Sequence, residues 1–221
     1  MVFLCGCLGP DGWNAQDWTD QGNRFAKDGL YADAVQAYNQ SLFLNPSNPK
    51  VLTWRGIALQ HQGYQEDAMH DFDAALEINP NESIAWQGKA SSYIESNQYK
   101  LAIKAAERSI SHTQPGEKVE NSWLILGFAY NRLEQFEDAL SCFDKAIEID
   151  PKRIDLWQHK AFTLTKLGRF MEVLKCYEVM TGIEPDNPVL WNKKGEIHLA
   201  LGQINEANEA FVMAKGLIER S

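Results

Sequence analysis

Residues 154–187 read IDLWQHKAFTLTKLGRFMEVLKCYEVMTGIEPDN. Trp157, Lys160, Ala161 and Leu164 fall at i, i+3, i+4 and i+7, the spacing of one helical face. Gly168 predicts the end of that helix, because glycine takes the left-handed backbone of a C′ residue without a Cβ clash. Phe170, Val173, Leu174, Tyr177 and Met180 make a second helical face, and Pro185 stops it for want of the N–H a helix interior requires. The turn between the two is short, so the helices run antiparallel.

The same arrangement recurs in both directions along the chain. Alanine stands at Ala34, Ala68, Ala102, Ala139 and Ala207, with Val173 in the one gap, at spacings of 34 residues interrupted once by 37. Gly22, Gly56, Ala90, Gly127, Ala161 and Gly195 keep the same rhythm. Trp18, Trp86, Trp123, Trp157 and Trp191 each precede that small residue by four, and Pro46, Pro80, Pro151 and Pro185 close four units. The frame gives six units, 15–48, 49–82, 83–116, 120–153, 154–187 and 188–221, after a leader at 1–14 and with a three-residue insertion near Pro115, Gly116 and Glu117. The small residues are expected where paired helices approach closely. A single pair cannot bury its apolar face, so neighbouring pairs must stack.

This pattern resembles the tetratricopeptide repeat (TPR), a 34-residue helix–turn–helix unit. The resemblance implies an all-α fold, a right-handed α-solenoid of about twelve antiparallel helices, and a role as a protein-binding scaffold. The third unit departs from the family pattern, with Ala106 for the usual aromatic and its proline displaced to Pro115; the fifth has Val173 for alanine. At the turn between helices the other units hold Gly29, Gly63, Asn97, Glu134 and Gly202. Asparagine tolerates the left-handed conformation, but Glu134 predicts a different turn.

Composition excludes several classes. With 44% hydrophobic and 23% charged residues among 221, the chain is a folded protein rather than a disordered one. Its net charge of −9 argues against nucleic acid, which needs a basic surface to displace counterions. No apolar run is long enough to span a membrane. There is no phosphate loop, dinucleotide motif, nucleophile elbow or zinc-protease motif, so no catalytic residue, metal site or cofactor is expected. The histidines are scattered, and His198 shares the repeat position of Tyr93 and Tyr130, which reads as a packed ring. Cys142 and Cys176 share one repeat position and read as small buried hydrophobes, too far apart for a disulfide. Glu66, Asp67, Asp71, Asp73, Glu77 and Glu82 are expected on a solvated outer face of the second helix in unit two.

Once the pair-packing positions are removed from each first helix, a second stripe remains, at repeat positions 2, 5, 6, 9, 12 and 13. In TPR proteins that stripe lines the concave surface. The resemblance therefore places a peptide or partner helix against Asn23, Trp54, Ile57, Gln87, Ser91, Ile125, Phe128, Asn131, His159 and Phe162. The stripe carries five basic and four acidic residues, nearly neutral in an acidic chain, and its centre is apolar. The asparagine amide of Asn131 is expected to bond a ligand backbone. The subclass that grips chaperone C-termini is not matched, since only Asn23 fits while Thr19, Trp54, Ile84 and Gly88 fill the other clamp positions.

The N-terminal residues carry no Lys or Arg before Arg24, so a full export signal is absent, and a cytoplasmic location is expected. Leu4–Cys7 resembles the end of a lipobox. The alternative is thus a lipoprotein anchored through Cys7, acting in an envelope assembly, if translation starts upstream of Met1. At the other end, Phe211, Ala214, Leu217 and Ile218 are expected to form an exposed apolar edge that favours end-to-end self-association or marks a cut from a longer protein.

Overall fold

The computed structural model describes residues 12–220. Cys5, Cys7 and most of the leader lie outside these, as does Ser221. The chain divides into two compact units, Met1–Glu117 and Lys118–Ser221. Among the described residues there are twelve α-helices and no strand. The first unit holds α1 (Ala15–Lys27), α2 (Tyr31–Leu44), α3 (Pro49–His61), α4 (Gln65–Ile78), α5 (Ser83–Glu95) and α6 (Tyr99–Ser111). The second holds α7 (Glu120–Arg132), α8 (Phe136–Ile149), α9 (Ile154–Lys166), α10 (Phe170–Ile183), α11 (Pro188–Ala200) and α12 (Ile204–Ile218). Each helix packs on its successor within a pair, and within each unit the second helix of one pair packs on the first helix of the next.

Local chemistry fixes the helix ends. Asn14 caps α1: its Oδ1 accepts from the N–H groups of Gln16 at 2.7 Å and Asp17 at 3.1 Å, while Asp17 Oδ2 accepts from the Asn14 N–H at 2.9 Å. Asn48 and Asn187 cap α3 and α11, each followed by proline at the first helical position. The recurring proline and tryptophan act together. The Nε1–H of Trp86, Trp157 and Trp191 donates to the carbonyl of Pro80, Pro151 and Pro185 at 2.9, 2.9 and 2.7 Å. The proline that follows one helix thus receives the indole of the next.

The recurring glycines of the first helices lie where the paired helix packs closest, each against a ring. A Cβ at Gly22 would stand 2.5 Å from the Tyr38 ring, at Gly56 2.7 Å from Phe72, at Gly127 2.6 Å from Phe143 and at Gly195 2.5 Å from Phe211. Each glycine is the seat of an aromatic ring from the second helix of its own pair. Phe72 also abuts Gly88 of α5.

The turn at Glu134 corrects the sequence expectation. Glu134 has φ +60°, like Asn97 at +57° and Gly168 at +70°. The Gln135 N–H donates to Tyr130 O at 2.9 Å and the Glu134 N–H to Asn131 O at 3.1 Å, matching Arg169 to Leu164 and Gly168 to Thr165, both at 3.0 Å. Two hydrogen bonds of the Schellman type hold a residue with a Cβ in a conformation that disfavours it. Glu134→Gly is therefore expected to stabilise the protein by about 1 kcal/mol, read as a higher urea midpoint.

Two further expectations are revised. Of the acidic cluster, Glu66, Asp67, Asp73 and Glu77 are exposed, but Asp71 is buried, its carboxylate gripped by Arg55 at 2.6 and 2.7 Å. Glu82 is buried too, and stands at the N-cap of α5 rather than on α4. At α12, Ala214 is buried in the α11/α12 pair and Phe211 sits on Gly195. The exposed apolar residues of that helix are Ile204, Val212, Met213 and Ile218. Of the expected edge residues, Ile218 is exposed, Leu217 and Phe211 are half-buried and Ala214 is buried.

Candidate functional site

In the second unit α7 and α9, one pair apart in sequence, touch. Phe128 and Asn131 of α7 and His159 and Phe162 of α9 line an open cavity of about 440 Å³ between them. The structure thus brings together four of the five stripe residues expected here. Ile125, half-buried one turn earlier on α7, is not part of the lining. Arg132, Glu134, Phe136 and Lys166 complete the wall. Arg132 and Lys166 hold the last stripe position in consecutive repeats, a signal visible in the sequence. Glu134 and Phe136 come from the turn and the start of α8, which a reading confined to the first helices passes over.

His159 joins the cavity to the core. Its ring stacks on Phe143, which is fully buried, at 5.7 Å and 18°, and meets Phe128 edge-on at 6.1 Å and 88°. Burial lowers its pKa below the ordinary value of 6.5, opposed by Asp155 and assisted by Arg153, so the imidazole is neutral at pH 7. Phe162 is 53% exposed, and Lys166 Nζ lies 5.3 Å from its ring centroid. Asn131 is already engaged by one neighbour. Its Nδ2 lies 2.8 Å from Thr163 Oγ1 on α9, and this contact ties the two helices together across the cavity. The wall therefore offers three phenylalanine rings and a neutral imidazole, with two cations and one carboxylate at its polar positions.

The first unit holds the other five expected residues. Trp54 and Ile57 are half-buried against the cluster built on Tyr38, Phe72 and Leu76, with Trp54 tilted 6.5 Å from Tyr38. Asn23 Oδ1 accepts the Tyr38 hydroxyl at 2.9 Å, and burial pushes the Tyr38 pKa up to about 12, keeping it a donor. Gln87 and Ser91 are half-buried on α5.

Among the described residues no group of three or more His, Cys, Asp or Glu is placed to hold a metal ion. Cys142 and Cys176 are buried and not joined in a disulfide, and burial pushes Cys176 up to about 11, so its thiolate is scarce at neutral pH. His198 is buried, its Nδ1 2.7 Å from Gln203 Oε1, as a packed ring.

Sequence profiles described as Tetratricopeptide repeat match residues 49–82, 84–111, 121–153 and 142–175, and one described as TPR repeat matches 22–63. The chain belongs to the tetratricopeptide repeat family. Among its TPR relatives is the TPR repeat-containing protein MJ1428 of Methanocaldococcus jannaschii, 27% identical over 62% of this chain and 25% of its own length. The heat-shock protein cognate co-chaperone sgt12 of Aspergillus fumigatus is 32% identical over 36% of this chain and 24% of its own. Tetratricopeptide repeat protein 33 of Xenopus laevis is 25% identical over 52% and 43%. The chain thus spans less than half the length of each of these relatives. Among solved structures, YrrB, described as a TPR protein with an unusual peptide-binding site, superposes with a TM-score of 0.67 at 20% identity, over 83% of this chain and 93% of its own. PilW, a type IV pilus biogenesis factor, gives 0.79 at 15% identity over 94% of both. At these identities the likeness is one of fold. No helix among the described residues of this TPR chain is long and apolar enough to cross a membrane.

Proposed function

We propose that this chain is a non-enzymatic protein-interaction scaffold, and that its second unit binds an extended peptide or partner helix at the cavity between α7 and α9. The observation that carries the reading is Phe162, a large ring left 53% exposed on the wall of a cavity, whereas Phe72 and Phe143 are fully buried against glycines. An apolar surface held open beside polar groups is what a peptide anchor requires. The TPR family supplies scaffolds of this kind, among them the co-chaperone relative and the peptide-binding YrrB. The net charge of −9 supports a protein rather than a nucleic-acid ligand.

The test is selection of peptides from a display library against the full chain, followed by mapping on the isotope-labelled protein by nuclear magnetic resonance. Chemical-shift changes are expected to centre on Phe128, His159 and Phe162. Selected peptides that shift only residues elsewhere would remove this site from consideration.

A further inference from the structure

We propose that the cavity between α7 and α9 selects peptides in which a large apolar side chain stands next to an aspartate or glutamate, with Lys166 as the partner of the side-chain carboxylate. This rests on the reading of the cavity as a peptide site and assigns the chemistry of what enters it.

The argument begins with a contrast inside the molecule. Lys89 lies over the Trp86 ring and is ion-paired with Asp73; Lys160 lies over the Trp157 ring and is ion-paired with Asp144 at 2.5 Å. In both, an aromatic face and a carboxylate share one ammonium. Lys166 has the ring, Phe162 at 5.3 Å, but no acidic side chain within ion-pair distance among the described residues. Lys145 and Lys194 also stand over tryptophans, but neither borders the cavity. A carboxylate arriving with a ligand would complete at Lys166 the arrangement that Lys89 and Lys160 complete internally.

The local charge agrees. In a chain of net charge −9 the cavity wall carries Arg132 and Lys166 against the single acid Glu134. The ammonium is positioned by the same ring that an entering apolar side chain would cover. Apolar contact and charge contact are therefore adjacent, and a peptide satisfies both when its anchor and its acid are neighbours in sequence. Covering Phe162 also removes water from around Lys166, which strengthens the ion pair relative to one in open solvent.

The experiment uses the full chain and three acetylated, amidated octapeptides of serine and glycine around one phenylalanine. In the first the phenylalanine is flanked by aspartates, in the second by asparagines, in the third by lysines. Titration followed by nuclear magnetic resonance is expected to show the aspartate peptide binding about fivefold more tightly than the asparagine peptide at low salt, the advantage shrinking as salt is added. Lys166→Gln is expected to bring the two within about twofold of each other, the aspartate peptide losing more affinity than the asparagine peptide. If the aspartate and asparagine peptides bind the cavity equally, or the lysine peptide binds best, the charge assignment fails while the peptide site stands. An asparagine peptide that gains the full advantage from a free C-terminal carboxylate would overturn the assignment to a side chain. If none of the peptides shifts the cavity residues at millimolar concentration, both readings fall.

Discussion

Phe72→Ala is expected to destabilise the protein by about 4 kcal/mol, measured as a lower urea midpoint by far-ultraviolet circular dichroism. Phe72 is fully buried, and its ring rests on Gly56 of its own pair and Gly88 of the next. Truncation removes the apolar area of a whole ring and leaves a cavity between two helices that cannot close on it. Both facing positions are glycines, with no side chain to move into the space. The ring meets helices of two pairs, so its truncation is felt by both. A cost below about 1 kcal/mol would show that the glycine seats are packed by something other than this ring.

This shared ring shows how far the sequence could be read. The period, the helix pairs and most of the terminating glycines follow from local rules that the repeats state again and again. The displaced aromatic looks like a defect when the third repeat is read alone. That Phe72 of the preceding repeat also rests on Gly88 of the third follows only from the packing of α4 on α5. Glu134 failed for a related reason: propensity disfavours a glutamate at positive φ, but the two hydrogen bonds back to α7 are contributed by a backbone whose geometry the neighbouring helices set. On the candidate site, the repeat frame selected Phe128, Asn131, His159 and Phe162 correctly as neighbours. It could not separate Ile57, half-buried against the cluster of Tyr38 and Phe72, from Phe162, left exposed at the equivalent position of a later repeat. The difference lies in what each side chain meets across the helix stack, which no single repeat encodes.

Phe162→Ala is expected to weaken binding of a peptide selected by the second unit about 30-fold, or about 2 kcal/mol, while leaving the urea midpoint unchanged. A ring already 53% exposed contributes little to folding, yet it would be covered by a ligand seated in the cavity. Phe128, the residue the sequence favours for this test, is the poorer probe. It is half-buried and meets His159 edge-on, so truncating it loosens α7 against α9 as well as removing ligand contact. Phe162→Leu separates the roles of the ring: it keeps apolar volume but removes the π-face beneath Lys166, so it should recover most of the affinity for an uncharged peptide and less for an acidic one. Glu66→Ala, on the exposed face of α4 in the other unit, should leave binding unchanged. Unchanged affinity for Phe162→Ala, with a loss for Glu66→Ala, would place the ligand away from the cavity. A fall in the urea midpoint for Phe162→Ala would mean that its ring is held by the fold and was never available as an anchor.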